Sequence, residues 1–256
     1  MFQFAYWLRA IAAVMITNSH YADIWPISAM AFGGHFGNCI YFFLSGFCLY
    51  PVQHSGVISQ MVRKTYHSHL SGPVDRRCDK SYYHIDDVSE KWCRFQFMAS
   101  MLLGAVLRER YDRINERITS LDITVFIAGL VLYFVGKKSL GKFDDISQFQ
   151  CILPMIQVLL IYSTGTIFIK LEKGGIFAKA GNAIQGIVTF IAGISLEIYL
   201  GQALIITRLN FLTFPLSFVV VTGLILIYAY LIHKLAQLIQ KPCSRLLKAR
   251  QKETAQ

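Results

Sequence analysis

An apolar run near the start of the chain, Phe4–Ala22, restricts the fold more than any other feature. As an α-helix its 19 residues would be about 28 Å long, close to the thickness of the hydrocarbon core of a bilayer. The run carries Arg9 near its start and His20 near its end. An arginine in a membrane helix costs at least ~2.5 kcal/mol on insertion scales, so such residues usually face a protein interior or a wet cavity. The run therefore predicts a membrane helix that contributes to a polar site.

Arg9 and His20 are predicted to lie on one face of this helix. A step of 11 residues at ~100° each brings the second side chain back to within about 20° of the first, about 16 Å further along the axis. One site can therefore use both side chains. The alternative is that Arg9 snorkels to the lipid headgroups while His20 lies at the opposite interface.

The composition extends this interpretation to the whole chain. Hydrophobic residues make up 54% of the 256 residues, charged residues only 16%, and the mean hydropathy is +0.45. Such values are typical of polytopic membrane proteins rather than of soluble domains. The sequence predicts an all-α bundle of about six to seven membrane helices in a single domain, residues 1–256. After Phe4–Ala22, the apolar runs that predict membrane helices are Met30–Tyr50, Leu121–Gly136, Phe149–Ile169, Ala183–Ile206 and Phe211–His233.

Nearly all of the basic residues lie in the gaps between the apolar runs. The formal net charge of +10 therefore reflects orientation in a membrane, and nucleic acid is not an expected partner. If both termini are cytoplasmic, 20 Lys and Arg residues lie on the cytoplasmic side and four lie outside. The sequence predicts a multi-pass protein of the cell membrane, with the lipid bilayer as a partner and both termini in the cytoplasm.

The polar stretch 52–94 is predicted to be a cytoplasmic loop, and a short apolar segment, Phe95–Leu107, follows it. The gaps on both sides of this segment are predicted to be cytoplasmic, which a single crossing does not allow. Its 13 residues permit a re-entrant or interfacial segment. The alternative is that the chain lacks a crossing that related proteins have.

Motifs near the N-terminus resemble the acyltransferase-3 family of integral membrane O-acyltransferases. Arg9, ten residues and then His20 are followed by YFFLSGFCL at Tyr41–Leu49. Two later stretches agree with the same family: ISLEIYLGQALI at Ile194–Ile205 is similar to a late helix, and LIQKPCSRL at Leu238–Leu246 resembles a short basic tail.

The chain departs from the family pattern in three places. The polar stretch 52–94 occupies the region where several apolar spans are expected. Gln202 stands where the family often has His, and Gln240 where it often has Glu. The resemblance is therefore to a version of the family that is shortened in the middle.

The resemblance implies an acyltransferase that transfers groups other than amino-acyl groups. The donor would be acyl-CoA, typically acetyl-CoA, and the acceptor a sugar hydroxyl of a surface polysaccharide or glycolipid. In this interpretation His20 is the catalytic base, because a neutral imidazole is suited to deprotonating an attacking hydroxyl. Arg9 would bind the phosphates of the donor near the cytoplasmic face.

Two further residues are candidates for binding donor or substrate. Arg63 follows the second apolar run, where the family carries basic residues proposed to contact the donor, although ordinary positive-inside charge also explains it. Glu197 is a carboxylate inside an apolar run, and it is expected to pair with another side chain or to line a cavity. No metal cofactor is expected, because the histidines and cysteines between residues 67 and 93 fit no zinc spacing.

Two other classes of function stay open. An inactive, truncated remnant of such an enzyme would only bind partner helices or lipid. A small membrane transporter would use Arg9, His20 and Glu197 as an ion or proton path.

Overall fold

The structure, a computed structural model, describes residues 2–50, 87–140, 152–206 and 214–253. Within these ranges the chain forms helices and turns and no β-strand, which confirms the predicted all-α class. The α-helices are α1 Gln3–Ser19, α2 Gly34–Leu49, α3 Asp87–Glu109, α4 Ser120–Leu140, α5 Ile152–Lys173, α6 Asn182–Gly193, α7 Ser195–Ile206 and α8 Leu216–Glu253.

The chain divides into two compact units. Unit 1 consists of Met1–Arg9 and His35–Gly181, and unit 2 consists of Ala10–Gly34 and Asn182–Gln256. Helix α1 therefore contributes its first two turns to unit 1 and the rest of its length to unit 2.

Two helices are long and apolar enough to cross a membrane, α5 and the Leu216–Ile239 part of α8. A third span results if α6 and α7, which bend by 57° where they meet, are counted together. The predicted number of six to seven is not supported in the described part of the chain. Helices α1 and α2 have 17 and 16 residues, and the apolar part of α4 is limited to Ser120–Gly136. These lengths fall short of the roughly 20 residues that a spanning helix typically needs.

The surface of α8 has the character expected of a membrane helix. Val219, Ile227 and Leu231 are 64%, 58% and 60% exposed. A helix that is apolar on its exposed side is stable in lipid, whereas in water it would leave a large apolar patch uncovered. The two to three candidate spans are thus consistent with a membrane protein.

In unit 1, α2 and α3 run parallel to each other. His35, at the start of α2, contacts Cys93 near the start of α3, and Phe47, at the end of α2, lies under Arg108 at the end of α3. The predicted segment Phe95–Leu107 is the apolar C-terminal part of α3 rather than a separate element.

Two glycines let the backbones of α2 and α3 approach closely. A Cβ atom on Gly46 would collide with the carbonyl group of Met101, and one on Gly104 would collide with the carbonyl group of Phe43. Small residues at such positions are a common basis of helix packing in membranes, because they allow extensive contact between backbones.

Helix α5 packs beside α3, again in a parallel direction. Gln96 of α3 donates a hydrogen bond to Gln157 of α5, and both side chains are buried. Helix α4 packs against α5 in the opposite direction, with Asp122 of α4 paired with Lys170 of α5 at 2.6 Å. Thr119 caps the start of α4, because its hydroxyl oxygen accepts the backbone N–H of Asp122 at 3.4 Å, and its own backbone N–H donates to the Asp122 carboxylate at 2.7 Å.

In unit 2, α7 and α8 form an antiparallel pair around an apolar core. The predicted single span Ala183–Ile206 is instead divided into α6 and α7. Gly193 and Ser195 flank the break, and the Ser195 hydroxyl donates to the Ala192 carbonyl at 3.0 Å. Sharp bends in helices commonly occur at such Gly and Ser positions, which explains the division. The buried core consists of Tyr21, Ile24, Ile194, Ile198, Ile206, Val221, Ile225 and Ala229.

Candidate functional site

His20, the predicted catalytic base, lies immediately after the end of α1, and its side chain is exposed. Its backbone N–H donates to the Thr17 carbonyl at 3.1 Å, and the next N–H, of Tyr21, donates to the Asn18 carbonyl at 3.1 Å. These i to i−3 bonds tighten the end of the helix into a turn. The regular helical geometry that predicted a face shared by Arg9 and His20 therefore ends before His20. The two residues also belong to different units.

Asn18 fixes the chain around His20. Its amide nitrogen donates to the carbonyl of Met30 at 2.8 Å and to that of Phe32 at 3.2 Å. Its amide oxygen accepts a hydrogen bond from the indole nitrogen of Trp25 at 3.0 Å. The segment that follows α1 is thereby folded back against the end of the helix, which holds His20 at a defined place in unit 2.

Two further contacts anchor the same region to the helices of unit 2. The Thr17 hydroxyl donates to the side-chain oxygen of Gln202 on α7 at 3.0 Å. The hydroxyl of Tyr21 lies 3.0 Å from that of Thr222 on α8. Gln202, where the resembled family often has His, therefore contacts the last turn of α1, one turn before His20.

Arg9, the predicted donor-binding residue, is half-buried in unit 1. Its backbone carbonyl accepts a hydrogen bond from the Tyr41 hydroxyl at 3.4 Å. Its guanidinium group pairs with no carboxylate of the described residues. A half-buried cation without a counter-ion is energetically unfavourable, so this position favours the binding of an anion.

Arg108, at the end of α3, is a second half-buried cation in unit 1. Its Cζ atom lies 4.4 Å, 5.4 Å and 5.7 Å from the ring centroids of Phe2, Phe47 and Tyr111. Contacts of a guanidinium with aromatic faces hold the group in place without using its N–H donors. Among the described residues it too forms no ion pair, so those donors are available to a ligand.

Tyr111 connects this aromatic cluster to the end of α5. Lys173 donates hydrogen bonds to the backbone carbonyls of Tyr111 and Ile114, at 2.6 Å and 2.9 Å. Burial raises the pKa of the Tyr111 hydroxyl, and the nearby Glu172 carboxylate acts in the same direction. The tyrosine therefore stays a neutral hydrogen-bonding group at neutral pH.

Arg9 and Arg108 both act electrostatically on one residue near the end of α2. Both are within electrostatic range of the Cys48 thiol, which is exposed and free. A guanidinium group is planar and binds the oxygens of phosphate groups through paired hydrogen bonds. We refer to Arg9 and Arg108 as the arginine pair.

Glu197 is paired with His233 across α7 and α8. The carboxylate oxygen lies 2.7 Å from Nδ1 of the imidazole, and the side chains are 14% and 29% exposed. The other ring nitrogen lies 3.0 Å from the amide nitrogen of Gln237. A neutral imidazole that donates through Nδ1 to Glu197 and accepts at Nε2 from Gln237 satisfies both contacts.

Some of these residues are predictable from the sequence and others are not. Glu197 has a partner, as expected for a carboxylate in an apolar run, whereas Arg63 lies outside the described residues. Arg108 and His233 were not singled out. His233 is the last residue of the last predicted span, which is only a weak indication of a functional role. Arg108 belongs to a group of basic residues whose number indicates only the orientation of the protein in the membrane.

Comparison with family models, curated proteins and solved structures finds no match for this chain. In the described ranges, no group of three or more His, Cys, Asp or Glu side chains is arranged to hold a metal ion.

Proposed function

We propose that this protein is a membrane O-acyltransferase that moves an acyl group, such as acetyl, from acyl-CoA to a sugar hydroxyl of a surface polysaccharide or glycolipid. The observation that carries the proposal is the arginine pair. Its two half-buried guanidinium groups lack carboxylate partners among the described residues, and both act electrostatically on the Cys48 thiol of α2. The phosphates of acyl-CoA would supply the negative charge that this arrangement favours.

His20 would act as the general base toward the acceptor. Its exposed imidazole can reach a solvent-borne or lipid-linked hydroxyl, and a neutral imidazole can accept the proton of that hydroxyl. General base catalysis of this kind contributes roughly 10²- to 10⁴-fold to the rate. The hydrogen bonds of Asn18 support the proposal, because a base that deprotonates an attacking hydroxyl must be held in place.

We also propose that α1, α2 and α4 cross the membrane with α5, the α6–α7 pair and α8, which gives six membrane helices and two cytoplasmic termini. The shorter helices would need a locally thinned bilayer or snorkelling side chains at their ends. The distribution of basic residues supports this orientation. A reporter fused to the C-terminus should be active only in the cytoplasm, and activity outside would overturn the orientation.

The decisive experiment measures incorporation of labelled acetyl groups into surface glycan by cells that express the wild type, His20→Ala or Arg9→Ala at matched membrane levels. We expect incorporation by the wild type and its loss in both variants, because the first removes the base and the second removes a donor contact. Full incorporation in His20→Ala would exclude it as the base. Absence of incorporation in all three proteins would favour the inactive remnant.

The Glu197–His233 pair favours a second candidate, a small membrane transporter. A carboxylate and an imidazole in hydrogen-bond contact inside candidate spans form a group that can take up and release a proton. Vesicles that contain the purified protein would then show proton-coupled solute uptake, which an acyltransferase would not produce. Loss of that uptake in Glu197→Gln would identify the pair as the proton carrier.

A further inference from the structure

A cysteine and a histidine form a contact in unit 1 that the roles above do not use. The Nε2 atom of His35, in the first turn of α2, lies 3.3 Å from the sulfur of Cys93 on α3. Both residues are half-buried. A thiol within hydrogen-bond distance of an imidazole is the arrangement that activates cysteine as a nucleophile.

The imidazole of His35 is held on its other sides as well. Its Nδ1 atom lies 3.8 Å from the sulfur of Cys39, which is buried, and its ring stacks on Phe97 with centroids 5.1 Å apart. When His35 takes the proton of Cys93, both ring nitrogens carry hydrogen and both still face a sulfur atom. The protonated imidazole therefore keeps its contacts, which favours formation of the thiolate.

The same geometry argues against a metal ion at this place. The two ring nitrogens point to different cysteines, so no single ion can be bound by the imidazole and both sulfurs. His35 lies between Cys93 and the buried Cys39. This arrangement agrees better with covalent catalysis, in which a base contacts the nucleophile and a third group positions the base.

We propose that Cys93 is a nucleophile that carries the acyl group as a thioester, with His35 as its base. This inference rests on the proposed function, because it takes acyl-CoA as the donor. The Cys93 thiolate attacks the thioester carbonyl carbon of acyl-CoA, a new carbon–sulfur bond forms, and the bond to the CoA sulfur breaks. His35 first accepts the Cys93 proton and then donates it to the departing CoA thiolate. One thioester replaces another, so no oxidant, reductant or further reactant is required.

The placement of Cys93 relative to the arginine pair agrees with this step. His35 begins α2 and Cys48 lies near its end, a separation of 13 residues, or about 20 Å along the helix axis. Acyl-CoA carries its phosphates and its thioester at opposite ends of a long pantetheine arm. Phosphates bound at the arginine pair would therefore leave the thioester free to extend along α2 toward Cys93.

The test is to incubate the purified full-length protein in nanodiscs with labelled acetyl-CoA and no acceptor, and to locate the label by peptide mass spectrometry. We expect one acetyl group on the peptide that contains Cys93, and its release by neutral hydroxylamine, which cleaves thioesters. Cys93→Ser should carry no such label. His35→Asn should slow labelling by about 10²-fold or more, because it removes the base but keeps the thiol. Cys243→Ser, a cysteine of α8 in unit 2 that has no part in the proposed donor site, is the control and should label as the wild type does.

The variants are compared only at matched folding, judged by melting temperature in the same nanodiscs. Label on Cys93 in the wild type, together with its dependence on His35, would support the inference. If the same protein acetylated no glycan, that result would contradict the proposed function but not the inference. An unlabelled Cys93, with glycan acetylation by Cys93→Ser at the wild-type rate, would overturn the inference and leave the proposed function intact. Absence of both label and glycan acetylation would overturn both.

Discussion

Glu197 on α7 and His233 on α8 are joined by a 2.7 Å contact between Oε1 and Nδ1. The pair lies within candidate spans, where an isolated carboxylate would be costly and where a partner offsets much of that cost. It also connects the two helices that enclose the apolar core of unit 2.

Removing both members of the Glu197–His233 pair should destabilise the protein less than the two single removals added together. Glu197→Leu or His233→Leu alone leaves the other group partly buried without its partner, which typically costs about 1–3 kcal/mol. The double variant should lose less than the sum of the two single losses. Thermal unfolding in detergent checks this, with Tyr199→Phe, an exposed position of α7, as the control. Strictly additive losses would show that the contact contributes nothing.

Substitution of Gly104 by alanine should separate α2 from α3. The new Cβ atom would collide with the backbone of Phe43, and overpacking of this kind costs about 1–3 kcal/mol. Alanine otherwise favours a helix by up to about 1 kcal/mol over glycine. Gly223→Ala is the matched control, because nothing lies within 4 Å of that position. We expect a lower melting temperature for Gly104→Ala and an equal or higher one for Gly223→Ala, and the reverse order would disprove the close approach.

Arg108→Gln should weaken the binding of CoA. A hydrogen bond to a charged group contributes about 1.5–3 kcal/mol, so the loss of affinity should be about 10- to 100-fold. Equilibrium binding of labelled CoA to the protein in neutral-lipid nanodiscs measures the change. Arg117→Gln makes the same change of charge at an exposed position just beyond the 3₁₀ turn Tyr111–Arg113. If both variants lose affinity equally, the effect is one of general charge and Arg108 makes no specific contact.

Asn18→Asp should lower acetyl transfer while CoA binding is unchanged. Aspartate keeps an oxygen for the indole N–H of Trp25 but lacks the amide donor used by the carbonyls of Met30 and Phe32. Each such bond contributes about 1 kcal/mol, so the segment after α1 should loosen around His20. Transfer and CoA affinity are measured on the same preparation. Unchanged transfer would mean that this segment does not position His20.

The helical class and the positions of most helices could be predicted from the sequence, because apolar runs bounded by charges are a local signal. The ends of helices depended on contacts that are distant in the sequence. Phe4–Ala22 was predicted as one helix, yet α1 ends at Ser19, where Asn18 bonds to the segment after the helix and Tyr21 enters the core of unit 2. The polar pair Asn18 and Ser19, which favours turns over helix interiors, was the available signal.

The pairing of functional side chains could be predicted less well. Spacing along one helix related Arg9 to His20, but it held no information on α3, which brings Arg108 close to Cys48 and Cys93 close to His35. Such contacts depend on the direction in which two helices pack. The sequence offers no local signal of that direction when the helices are joined by a long connection.

The parallel packing of α2 and α3 gives this pair of helices a polarity. The arginine pair lies where α2 ends, and Cys93 and His35 lie where it begins. If α2 crosses the bilayer, a donor held by its phosphates on one side would deliver its acyl group most of the way to the other. Catalysis would then be vectorial, with free CoA returned to the compartment that supplied the donor and the modified sugar left on the opposite side.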